Sequence, residues 1–173
     1  MALSKSGISR TVILLLIFMI FSGVIGAYLF KQKTLADVAD EAEQQSGLMS
    51  PTVTVYKSAS CGCCNKWVDH LTEAGFTVAA HNREDMNTIK QESGVVAQLA
   101  SCHTAFVNGY VIEGHVPASD IKRLLSEKPA IHGLTAPGMP QHSPGMQAEG
   151  LTPKGYAVLA FNKEGETSIY QQY

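Results

Sequence analysis

The chain has 173 residues, 45% of them hydrophobic, with four cysteines and a formal net charge of −2. That length and apolar content suffice for one domain with a proper core and exclude a disordered protein. Four basic residues, Lys5, Arg10, Lys31 and Lys33, lie in the first 33 positions, where no acid occurs, so the remainder carries nine basic against fifteen acidic residues, about −6; this balance argues against nucleic acid as a partner and is compatible with cations.

The first element is Thr11–Phe30, a run of about twenty residues without a formal charge, preceded by Lys5 and Arg10. It must meet a membrane. A spanning helix needs ~20 residues and a secretory signal has a shorter apolar core, so the length favours an uncleaved anchor. Ser22–Ala27 nevertheless offers small residues where a peptidase could cut, and residues 1–33 are therefore read as a membrane anchor or a signal peptide. In either case the positive N-terminus stays inside and the rest is exported, with the periplasm the expected compartment and the inner membrane a contact. Residues 34–50, with Asp37, Asp40, Glu41 and Glu43, hold too few large apolar side chains for a core and read as a polar tether.

Residues 51–173 then alternate between strand and helix patterns. Thr52–Lys57 reads as a strand. The run from Cys64 to Ala74 reads as a helix, with Trp67, Val68 and Leu71 on one face and Gly75 at the left-handed C-terminal cap. Phe76–Ala80 is a second strand, and Asn82 is expected to cap a short helix carrying Met86 and Ile89 and ending at Gly94. After irregular residues 95–101, Thr104–Val107 and Tyr110–Glu113 flank Asn108-Gly109, the strongest short hairpin signal. Pro117 introduces a helix with Ile121, Leu124 and Leu125 on its buried face, ending near Pro129. Residues 133–146 contain two Pro-Gly-Met units and are expected to form a loop. Tyr156–Phe161 and Thr167–Tyr170 read as a terminal hairpin that extends the sheet. The predicted core is β-α-β-α-β-β-α.

Three of the four cysteines stand in Cys61-Gly62-Cys63-Cys64, at the corner between the first strand and its helix. Thiolate is the nucleophilic and metal-binding form of cysteine, and the unpaired N–H groups of a helix start stabilise it. The element order, with thiols at that corner, resembles the thioredoxin superfamily. Cys61-Gly62-Cys63-Cys64 looks like its Cys-Gly-Pro-Cys redox motif with cysteine in place of proline. Ser101–Gly109 resembles the glutaredoxin segment in which a Val-Pro pair faces the active site, with Cys102-His103 in that pair's place. The resemblance implies that Cys102 and His103 project towards the first three cysteines from across the sheet. Loss of both prolines and gain of two soft ligands favour metal binding over disulfide exchange.

Thiolates select Cu(I), zinc or iron–sulfur clusters, imidazole suits copper or zinc, and the thioethers of Met139 and Met146 suit Cu(I). The combination of Cys-Gly-Cys-Cys, Ser-Cys-His-Thr and the double Pro-Gly-Met loop resembles the CopG-type family of periplasmic copper-resistance proteins over residues 52–147. The resemblance implies a thioredoxin-like α/β sandwich with a C-terminal hairpin extension that binds copper through clustered cysteines. The metal-site candidates are Cys61, Cys63, Cys64, Cys102, His103, Met139 and Met146. Copper is the expected ligand, as Cu(I) with room for several ions, ahead of zinc. Other periplasmic copper-handling proteins are the expected partners.

Plainer readings stand beside this one. Four cysteines in an exported domain can form structural disulfides, among which Cys61–Cys64 has the redox-type spacing, or they can hold a structural zinc ion, although three ligands in four residues crowd a tetrahedral site. His70, His81, His115 and His132 read as ordinary surface or core histidines, and Trp67 and Met86 as core. Two function classes stay open: a copper-binding resistance protein and a thiol–disulfide oxidoreductase.

Overall fold

In a computed structural model of the protein, residues 50–173 apart from Glu149 are described. The expected anchor or signal over 1–33 and the tether up to residue 49 lie outside the described residues. Among the described residues no helix is long and apolar enough to cross a membrane.

The elements run β1 (Thr52–Lys57), α1 (Gly62–Glu73), β2 (Thr77–Asn82), α2 (Met86–Glu92), a 3-10 turn (Ala97–Leu99), β3 (His103–Val107), β4 (Tyr110–Gly114), α3 (Ala118–Glu127), β5 (Gly133–Ala136), β6 (Ala157–Phe161) and β7 (Thr167–Gln172). The strands form one mixed seven-stranded sheet in the order β2-β1-β3-β4-β5-β6-β7. Parallel pairs β1/β2 and β4/β5 are joined through crossover helices, and the remaining neighbours are antiparallel.

Period-2 alternation sorts the side chains between the two faces. Val53, Val55, Ala105, Val107 and Ile112 pack on Trp67 and Leu71 of α1 and on Ile121 and Leu124 of α3. On the other face Val111 and Phe161 pack with Val95 and Leu99, and α2 lies against β1 and β3. The result is a mixed α/β fold with helices on both faces of the sheet.

The element order matches the expectation with three differences. The segment 133–146 is not loop throughout: Gly133–Ala136 is a strand, buried at every position. Such a strand shows no alternation, and glycine at 133 is what allows its close approach, since a Cβ there would stand 2.0 Å from the Val111 carbonyl oxygen. Asn82 does not cap α2; it ends β2 and accepts a hydrogen bond from Lys57 Nζ at 2.9 Å, while Asp85 precedes the helix. Finally, α1 begins at Gly62 rather than Cys64, so Cys61 is its N-cap residue. Gly75 does close α1 in the left-handed region, with Phe76 N–H donating to the Leu71 carbonyl and Gly75 N–H to that of Thr72.

Candidate metal centre

Two strand registers build this site. In the β1/β3 ladder Lys57 pairs with His103, so the corner that follows β1 faces Ser101-Cys102, which precedes β3. In the β3/β4 ladder Val107 pairs with Tyr110 and Thr104 with Glu113. Continued two residues outward, that register sets Cys102 opposite His115. The cysteine corner and the end of the β3–β4 hairpin thus meet at one end of the sheet.

Cys61 and Cys64 are joined by a disulfide across the start of α1, leaving Cys63 and Cys102 as thiols. Cys63 Sγ lies 3.5 Å from Cys61 Sγ, and Cys102 Sγ lies 3.4 Å from Cys64 Sγ. All four sulfurs lie within 4.8 Å of one another. Cys64 is fully buried, and the other three are partly accessible.

A second group of donors shares Cys102. His115 Nε2 lies 3.0 Å and His103 Nδ1 3.4 Å from Cys102 Sγ. His115 Nδ1 donates to the Pro144 carbonyl at 2.8 Å, a bond that leaves the Nε2 lone pair facing the sulfur. His103 is fully buried, its ring 4.3 Å from that of Trp67, and its Nε2 has no hydrogen-bond partner. Trp67 Nε1 in turn donates to the Val116 carbonyl at 2.8 Å, so one α1 side chain braces both histidine segments.

The local electrostatics suit neutral donors. Burial, with help from His115 and Lys90, holds the His103 imidazolium well below the ordinary histidine range, and burial likewise lowers His115. Burial and then the neighbouring Cys63 push the Cys102 thiol up to about 11, so a metal ion bound there must displace a proton. Behind the site, the fully buried Glu113 accepts from Lys90 Nζ at 2.5 Å, from Thr104 Oγ1 at 2.7 Å and from the Ser101 backbone N–H at 2.6 Å. The last bond fixes the residue immediately before Cys102.

The two Pro-Gly-Met units differ in their surroundings. Gly138 N–H donates to the Ala100 carbonyl, Ser101 Oγ donates to the Gly138 carbonyl, and Met139 is 56% exposed. The second unit packs on α1: a Cβ on Gly145 would lie 2.8 Å from the Cys63 carbonyl oxygen and 2.9 Å from Trp67 N, and Met146 is half-buried. A cleft of about 560 Å³ runs beside this unit, walled by Lys66, Asp69, His70 and Glu73 of α1 and by loop residues up to Pro153. No cysteine lines it; the thiols lie outside the cleft.

A family described as "Protein of unknown function, DUF411" matches residues 99–146, the span holding Cys102, His103, His115 and both Pro-Gly-Met units. No curated protein matches the chain. Two solved structures do, Form 2 and Form 1 of a copper resistance protein CopG. Each is 38% identical with a TM-score of 0.66 and covers 72% of this chain, which in turn covers 99% of the first and 98% of the second. The chain belongs to the CopG family of copper-resistance proteins.

In this CopG-family chain the structure brings five expected residues together: Cys61, Cys63, Cys64, Cys102 and His103. His115 is the residue that sequence reading passed over as ordinary. Its signal was present, because the Asn108-Gly109 turn sets Val107 opposite Tyr110 and therefore Cys102 opposite His115. Three of the other four histidines have structural surroundings: His70 Nε2 accepts the Ala118 N–H at the start of α3, His132 Nε2 bonds the Ser93 carbonyl, and His81 stacks on Tyr56, while His142 is exposed.

Proposed function

We propose that this chain is an exported copper-binding protein that sequesters or redox-buffers copper and so contributes to copper resistance. Its ligands are Cys61, Cys63, Cys64 and Cys102, with His103, Met139 and Met146 as further donors and His115 added to them. The observation that carries the reading is the convergence of four sulfurs within 4.8 Å, although Cys102 lies 38 residues beyond Cys64. Such a soft donor set selects Cu(I), and three cysteines in four residues suit bridging thiolates better than one tetrahedral ion. The full set exists only after a dithiol reductant passes two electrons and two protons to the Cys61–Cys64 disulfide and is itself oxidised to a disulfide.

Support for copper also comes from the solved relatives, which are named copper resistance proteins. The same proposal includes a thioredoxin-like core over 51–173, and export to the periplasm through residues 1–33 as a signal or inner-membrane anchor. Residues 34–50 serve as its tether, and other periplasmic copper-handling proteins exchange the metal. An anaerobic Cu(I) titration of the reduced full chain tests the reading: more than one Cu(I) per chain is expected, and a limiting stoichiometry of one or fewer contradicts it.

One observation favours the second reading, a thiol–disulfide oxidoreductase. The Cys61–Cys64 disulfide spans the start of α1 with redox-type spacing. Without the motif's central proline and the facing proline, slow reduction of insulin disulfides is expected. Turnover comparable to an ordinary thioredoxin would move the function to that class.

A further inference from the structure

The disulfide divides the donors unequally. It removes Cys61 and Cys64 from the four-sulfur set, leaving Cys63 and Cys102 as thiols. It removes nothing from the group of Cys102, His103 and His115, whose donor atoms also lie within 4.8 Å of one another. We propose that the disulfide form of this chain holds one divalent ion of the zinc class at Cys102, His103 and His115, in contrast to the Cu(I) preference of the dithiol form.

Three observations carry this. The His115 ring is fixed by its 2.8 Å bond to the Pro144 carbonyl, the arrangement by which metal-binding histidines are commonly oriented, and its other nitrogen lies 3.0 Å from Cys102 Sγ. Pro144 cannot readily withdraw, because its neighbour Gly145 is pressed on the backbone of Cys63 and Trp67. His103 is fully buried, and its Nδ1 lies 3.4 Å from the same sulfur, which places a second imidazole beside the thiol and out of bulk water. One thiolate and two imidazoles are a three-ligand zinc set with the fourth position left to water, and they lack the several soft sulfurs that favour Cu(I). Binding displaces the Cys102 thiol proton to solvent, and no electron moves.

The inference rests on the copper reading's own donors, Cys102, His103 and His115, and its test is kept separate by redox state. The full chain carrying the Cys61–Cys64 disulfide, verified by mass spectrometry, is titrated with Zn(II), with Co(II) as a spectroscopic stand-in. The expected result is one ion per chain, with a sulfur-to-cobalt charge-transfer band. Both Cys102→Ser and His115→Ala should weaken binding by at least about tenfold. His115→Gln replaces the alanine variant if circular dichroism shows that the latter has not folded. No binding to the disulfide form, or equal binding in the His115 variants, would overturn the proposal. Cu(I) stoichiometry of the reduced chain, measured beside it, reports on the copper reading alone.

Discussion

The two sides of the candidate centre are made in different ways. The corner side, Cys61 to Cys64, is a local object: four consecutive residues at the start of α1 bring three sulfurs together whatever the rest of the chain does. The sheet side, Cys102, His103 and His115, exists only because the β1/β3 and β3/β4 registers converge, and it is held by Trp67 and Pro144, which are distant in sequence, and by Glu113 across the β3–β4 hairpin from Ser101. A local motif is damaged by changing its own residues. An assembled one should also be damaged by changing its supports, and this difference can be measured.

Glu113 is where the largest effect is expected. Glu113→Ala leaves the Lys90 ammonium buried without its partner and removes the acceptor of the Ser101 N–H, and should cost about 3–5 kcal/mol in urea denaturation. Lys90→Met with Glu113→Leu should recover most of that stability while copper binding stays weakened. Full recovery of both would show that the sheet side does not depend on this support. Gly145→Ala comes next, at about 1–3 kcal/mol, since its φ is +85° and its Cβ would press on Cys63 and Trp67. It should also perturb both sides at once, because Pro144 would be displaced from His115.

Acid should act on the sheet side and, through the partly buried His70, at the start of α3. His103 and His115 have folded-state pKa values below the ordinary 6.5, because burial disfavours the imidazolium. The unfolded chain therefore binds more protons, and the stability of the metal-free protein should fall as pH drops below about 6.5, with a slope approaching about 1.4 kcal/mol per pH unit for the fully buried His103. Urea midpoints at pH 7.5 and 5.5 measure this, and a midpoint that is flat or rises towards acid would contradict it. Met139→Leu is expected to have the smallest effect: Met139 is exposed, and the change in stability should stay within about 0.5 kcal/mol. Any loss of Cu(I) affinity in that variant would then be read as loss of a donor.

The same contrast governs what could be read in advance. The corner was legible because its signals are local: the apolar stripe of Trp67 and Leu71, the Gly75 stop, and the thiols at the helix start. The hairpin was legible from Asn108-Gly109. Cys102 and His103 entered the candidate site through a family resemblance, since spacing alone does not say that residues 38 positions apart meet. His115 required one more step, extending the hairpin register past the end of β4. Strand β5 was hidden because four wholly buried residues followed by a proline carry no period of two, and Asn82 looked like a cap until Lys57 claimed its side chain. Which cysteines pair was not fixed by spacing, because Cys61 lies near Cys63 as well as Cys64.

The claim on which the account rests is that the two sides form one copper site, and Cys102→Ser in the reduced full chain tests it most directly. The hydroxyl is harder than the thiolate it replaces and stays protonated near neutral pH. An anaerobic Cu(I) titration should show a lower stoichiometry and at least about tenfold weaker binding, with a circular-dichroism spectrum like that of the parent. Unchanged stoichiometry and affinity in a folded Cys102→Ser protein would mean that the corner binds copper alone, and the joint site would have to be abandoned.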